Sequence, residues 1–159
     1  MMAGTGDNQF SPDAPTTRAM IVTILYSLEN RPAAGSADFT DVPSGQWYSS
    51  PIAWAAANGI VGGYGDGRFG PNDTITREQM AMILYRYAQI KGYDVSNTGD
   101  LSRYTDAGQA NDWALTALGW ANAQGLITGN TASTLSPTGS ATRAEVATIL
   151  MRFVEDVAD

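Results

Sequence analysis

The sequence predicts an all-α fold, a pseudo-threefold bundle of helix–turn–helix repeats with protruding Gly-rich turns. Three observations carry that prediction. One pattern recurs in register: Phe10 leads to Thr17 in FSPDAPTTRAM, Phe69 to Thr76 in FGPNDTITREQ, and Leu135 to Thr142 in LSPTGSATRAE, each over seven residues. Each threonine opens a segment whose apolar residues recur at helical spacing. A short helix, a Gly-rich turn and a longer helix cannot bury their apolar faces alone, whereas three such units around one axis can.

In chain order, the first repeat is entered partway: residues 1–4 align with 60–63, and nothing corresponds to 38–59. This divides the chain into 1–37, the second half of a first repeat, and two full repeats, 38–97 and 98–159. Thr17 caps a helix with Ile21, Ile24, Leu25 and Leu28 on its buried stripe. Arg31-Pro32 is expected to end it, because proline lacks a donor and disfavours helix in the residue before it. Residues 33–37 read as a linker.

In the second repeat, Phe39-Thr40-Asp41-Val42 is a short extended or turn segment, followed by Trp47-Tyr48. Ser50 is expected to be the N-cap of a helix with Pro51 at its first position. That helix carries Ile52 and Trp54 among alanines and ends at Gly59. Thr76-x-x-Gln79 is a capping box, and Met80, Ile83, Leu84 and Tyr87 form the next buried stripe. Residues 92–101 are polar and turn-rich, a second linker. The third repeat copies the second, with Tyr104-Thr105-Asp106, Trp113, Leu118-Gly119-Trp120 and Gly125 in the corresponding places. Thr142-x-x-Glu145 is again a capping box, followed by Val146, Ile149, Leu150 and Phe153. Its turn, 130–134, lacks the Gly-Asp-Gly of 65–67.

Composition narrows the function. A net charge of −7 argues against nucleic acid and against a polybasic membrane surface. No apolar run reaches the roughly 18 residues of a membrane span. No basic-then-apolar leader precedes Gly4, so the start reads as an expression boundary or a mature fragment. The chain has no cysteine and no histidine, which removes thiolate chemistry, Ser-His-Asp catalysis and the commonest transition-metal ligand. Lys91 is the only lysine. A carboxylate glycosidase would need two acids flanking one sugar, but the repeat copies Asp41 and Asp106 around an axis instead. No catalysis is expected. Asp66-Gly67 and Asn72-Asp73 are explained by turn chemistry, without an EF-hand pattern, so neither metal nor cofactor is expected.

Phe39-x-Asp41-Val42, Trp47-Tyr48 and GIVGGYGDGRFGPNDTITREQ (59–79) resemble the S-layer homology repeat. The resemblance covers nearly the whole chain. It implies a three-pronged spindle with one helix per repeat in a central bundle. It also implies a secreted module at the cell wall or S-layer that binds secondary cell wall polysaccharide, often through a pyruvate-ketal-bearing sugar. In this family the basic residue of the TRAE motif contacts the ligand in grooves between repeats. By motif match that role falls on Arg18, Arg77 and Arg143. Only ATRAE (141–145) is intact: Met20 stands at the motif's glutamate, and Glu78-Gln79 replaces Ala-Glu.

The residues themselves add an electrostatic reason. A cation in the first helical turn opposes the helix dipole, which becomes favourable if an anion docks there on free N–H donors and the guanidinium. The alternative is that the arginines pair with Asp41 or Asp106 between repeats. The candidate carbohydrate-binding set is Arg18, Arg77, Arg143, Asp41, Asp106, Trp47, Trp113, Gly63 and Tyr64. Trp54 and Trp120 are expected in the core; for Trp47 and Trp113, sugar stacking and wedging between repeats both fit. The half repeat also predicts a homodimer, through flanks left open beside the Ile52 and Leu118 helices. The competing function is a degenerate repeat scaffold for self-association or protein–protein contacts.

Overall fold

A computed structural model of the chain describes residues 14–36, 38–63, 66–128 and 134–156. Its helices are α1 (Arg18–Leu28), α2 (Ser49–Ala57), α3 (Arg77–Lys91), α4 (Leu115–Ala123) and α5 (Arg143–Asp156). Two 3-10 turns, Ala107–Gln109 and Asp112–Ala114, lead into α4. Among the described residues there is no strand, only three isolated bridges. The fold is all-α, as the repeats require.

The bridges build the threefold junction. They pair Thr17 with Thr74, Thr76 with Ser140, and Thr142 with Pro15, so the residue two before each capping threonine meets the capping threonine of the repeat before it, and the third repeat meets the first. Inside them runs a closed triangle of backbone hydrogen bonds. Ile75 N–H donates to Thr16 O (2.8 Å), Thr16 N–H to Ala141 O (3.1 Å), and Ala141 N–H to Ile75 O (3.0 Å). All three residues are fully buried. Buried backbone groups must be paired, and here no repeat can satisfy its own.

The ring gathers the N-termini of α1, α3 and α5. Their other ends meet through side chains: the Tyr87 hydroxyl donates to Glu29 (2.5 Å), Lys91 pairs with the same carboxylate (2.9 Å), and the Tyr87 ring lies 5.8 Å from Phe153. Burial, and then the bond to the Glu29 carboxylate, push the Tyr87 pKa up, while the hydroxyl's donated proton lowers that of Glu29. The long helices therefore run side by side about one axis.

Each short helix fills the slot between two long ones. Trp54 of α2 packs on Tyr26 of α1 (5.6 Å) and Tyr87 of α3 (6.5 Å). Trp120 of α4 repeats this between Tyr85 of α3 (5.6 Å) and Phe153 of α5 (6.5 Å). Both indoles are core, as expected. The same rotation leads to a slot between α5 and α1 with no short helix among the described residues. Met151, in the register of Tyr26 and Tyr85, is 53% exposed, and Leu28, in the register of Tyr87 and Phe153, is 40% exposed. The expected open flanks beside α2 and α4 are therefore misplaced. Ile52 and Leu118 are fully buried, and the bare slot lies between the first and last long helices. Leu28 consequently drops out of the buried stripe.

Helix ends also differ from expectation. α1 stops at Leu28, and Asn30 and Arg31 take positive φ (60° and 51°) before Pro32, so the chain leaves the helix well before the proline. α2 starts at Ser49, placing Pro51 third, where the missing donor still costs no helical bond. Ser49 Oγ, not Ser50, organises the start, accepting from Gln46 N–H (2.9 Å) and donating to Pro43 O (2.6 Å). Gly59 and Gly125 end the short helices at φ +73° and +74°, a region that favours glycine.

Candidate functional site

The first turn of each long helix is consumed by the next repeat. The N–H groups of Arg18, Arg77 and Arg143 donate to the carbonyls of Asp73 (2.9 Å), Gly139 (3.0 Å) and Ala14 (2.9 Å). Ala19 and Glu78 N–H follow with Pro71 O (3.0 Å) and Pro137 O (2.8 Å). The third donors, on Met20, Gln79 and Glu145, go to the capping threonine hydroxyls, each at 3.2 Å. The expectation of free helix N–H donors for an anion is overturned: they hold the junction together. Thr76–Gln79 is a full capping box, and in α1 the Met20 thioether takes the glutamate's part, accepting Thr17 N–H at 3.3 Å.

The side chains of these arginines reach the same way. Arg18 Nε donates to Phe69 O (3.0 Å) and Nη2 to Gly62 O (3.4 Å), with the guanidinium 4.6 Å above the Phe69 ring. Arg77 Nε pairs with Glu145 of the third repeat (2.8 Å). Arg143 Nη2 lies 3.8 Å from the Met20 sulfur. All three are at least 92% buried, at 6%, 8% and 7% exposure. Carbonyl dipoles from the neighbouring repeat offset the unfavourable helix position of the Arg18 charge, and a carboxylate that of Arg77.

Neither aspartate pairs with these arginines. Asp41 accepts the N–H of Phe69 and Gly70 (2.9 Å each), and Asp106 those of Leu135 and Ser136 (2.8 Å each). Each carboxylate thus clamps the turn of its own repeat. Burial works to raise the Asp41 pKa, but the Phe69 and Gly70 donors outweigh it and the pKa is lowered. That of Asp106 is lowered chiefly by the Leu135 N–H. The residue held in the second case, Ser136, has φ +54° where its counterpart Gly70 has +75°.

The open space lies where repeats meet. Groove 1, about 380 Å³, is floored by Arg18 and Gly62–Gly63, walled by Gln79, Met82 and Arg86 of α3, and closed by Trp113 of the third repeat. It unites three predicted residues, Arg18, Gly63 and Trp113, from three repeats. Groove 2, about 260 Å³, is its rotated copy, with Arg77, Thr128, Glu145, Thr148 and Arg152 in the matching places. In the third position Arg143 faces Met20 of α1, and Ser27 holds the register of Arg86 and Arg152. Trp113 (51% exposed) and Trp47 (59%) are both open to solvent, so neither is a wedge. Trp47 leans edge-on against Tyr48 at 5.2 Å, and Tyr64 lies outside the described residues. Gly63 is needed for packing: a Cβ there would meet Arg68 O at 2.7 Å and Phe39 Cε1 at 2.8 Å. Arg86 and Arg152 were missed because they sit past the recognisable motif; Arg86 follows Gln79 and Met82 on one helix face, the signal that could have found it.

The model of the S-layer homology domain matches residues 2–19, 38–81 and 103–147. The chain belongs to the S-layer homology family. Among its curated relatives, an exoglucanase, XynX, of Acetivibrio thermocellus is 35% identical over 98% of this chain and 14% of that protein. A surface-layer 125 kDa protein of Lysinibacillus sphaericus is 32% identical over 99% of this chain and 13% of that protein. An amylopullulanase of Thermoanaerobacterium thermosulfurigenes is 35% identical over 98% of this chain and 8% of its own length. The chain thus spans only a small part of the relatives it matches. As an S-layer homology module it is a surface-anchoring unit, and its place is the cell surface.

Proposed function

We propose that this module is non-catalytic and binds an anionic secondary cell wall polysaccharide, seating a carboxylate-bearing, pyruvylated sugar in the grooves between repeats. The observation that carries the reading is groove 1, where guanidinium groups and an exposed indole face one cavity. Arginine matches a carboxylate with its planar fork, and an indole offers an apolar face to a sugar ring. An acidic protein can hold an acidic glycan this way, through a local site rather than overall charge. The chain should sediment with purified cell walls and stay in solution once the polysaccharide is stripped from them. Equal sedimentation with stripped walls would defeat the reading.

A second proposal concerns partners, and the bare slot between α5 and α1 favours it. Two copies associate through Met151, Leu28 and the surface around them, since covering apolar area yields roughly 25 cal/mol per Å². Light scattering should show a concentration-dependent dimer, and Met151→Lys should return it to monomer. A chain that stays monomeric at high concentration would remove the proposal. Fusing a short helix ahead of residue 1 should likewise give a monomer with a higher melting temperature.

A further inference from the structure

Arg86 stands ten residues after its capping threonine, in the register of Arg152 and Ser27. The three positions have different fates. Arg152 donates to Gly125 O (3.1 Å), and Ser27 carries no charge. Arg86 is half-buried in groove 1, and among the described residues it makes no hydrogen bond or ion pair. Its neighbour Arg18 already serves Phe69 O and Gly62 O and stacks on Phe69. The cation available in this groove is therefore the one outside the family motif.

We propose that Arg86 is the carboxylate-holding residue of groove 1, binding the acid group of a sugar whose ring lies on Trp113. This rests on the glycan-binding reading and names its anchor. A half-buried guanidinium has lost part of its hydration, and a ligand's acceptors replace what was lost. A carboxylate supplies two in the plane of the fork, which a lysine ammonium cannot match. The facing α3 residues, Gln79 and Met82, are neutral, so no protein carboxylate on that wall competes.

Calorimetric titration can use three probes: a methyl hexoside with a 4,6-pyruvate ketal, its 4,6-ethylidene analogue lacking only the carboxylate, and a methyl glucuronide. Arg86→Gln should weaken ketal binding by about tenfold to a hundredfold, the range for one charge-assisted contact. Arg86→Lys should recover part of it. Arg31→Gln, an equal charge change at an exposed site away from the grooves, should bind as the wild type. The ethylidene analogue should bind wild type and Arg86→Gln equally weakly. Glucuronide binding equal to the ketal assigns Arg86 to sugar carboxylates in general, and weaker binding assigns it to the ketal's placement of the acid. If Arg86→Gln binds the ketal normally while Trp113→Ala does not, the groove stands and the assignment to Arg86 falls. If the wild type binds neither acidic sugar nor purified walls, the glycan reading falls with it.

Discussion

Grooves 1 and 2 are one design executed twice, and the charge of each is set by one neighbour, neutral in the first and acidic in the second. In groove 1 the residue three after the capping threonine is Gln79, whose amide oxygen closes the capping box on Thr76 N–H (3.0 Å). In groove 2 it is Glu145, and its carboxylate reaches Arg77 (2.8 Å) while Arg152 is turned to Gly125 O. The backbone scaffold is the same, down to matching hydrogen bonds at Phe69–Gly70 and Leu135–Ser136. Charge availability is not. A repeat can copy a fold without copying a site, because the fold rests on backbone groups and the site on which side chain takes the acceptor first.

The largest expected effect comes from cutting one clamp at a time. Asp41→Ala leaves two donors of the groove 1 turn without their acceptor and should cost about 1–3 kcal/mol. Its melting temperature should fall by about 3–10 °C, together with ketal binding in groove 1. Asp106→Ala should destabilise too but spare groove 1; equal loss of ligand binding in both would dissolve the comparison.

Exchanging the acidic neighbour comes next. Gln79→Glu introduces a competing carboxylate beside Arg86 and Arg18 and should weaken ketal binding about tenfold, near 1.4 kcal/mol. Glu145→Gln frees Arg77, and the titration should then show a second binding event per chain. Unchanged stoichiometry would mean that the missing tryptophan, rather than the ion pair, silences groove 2.

A smaller effect tests the turns. Ser136→Gly relieves a left-handed serine and should raise stability by about 0.5–1 kcal/mol, visible as a few degrees in the melting temperature. Gly70→Ser should do the reverse in the groove 1 turn. The subtlest test is acid. Both clamp carboxylates have folded pKa values below their ordinary 3.8. Their stabilisation is therefore full above that value and is lost as pH falls through the folded one. Urea midpoints measured from pH 5 to pH 3 should drop, and Asp41→Asn should flatten the slope.

Much was legible in the sequence because it is local. Thr76 and Gln79 close a capping box across three residues, and Met80, Ile83, Leu84 and Tyr87 bury one stripe of one helix. Nothing distant is needed for either. Leu28 has the same spacing as its counterparts and is nevertheless exposed, because the slot beside it holds no short helix among the described residues. Asp41 and Asp106 were visible as recurring acids, but their task was not, since the donors they accept lie 28 to 30 residues further along the chain.

The sequence by itself determined the repeat, the all-α class, the threonine caps of the long helices, the family and the two buried tryptophans, since each follows from spacing within a repeat. Only the tertiary structure decided that the helix N-termini are spent on the junction, that the open slot lies between α1 and α5, and that Arg86 meets no carboxylate among the described residues. The physical reason is common to all three. Hydrogen bonds and ion pairs are exclusive: a donor used between repeats is withdrawn from a ligand, and which donor is used depends on neighbours that only the closed ring brings together.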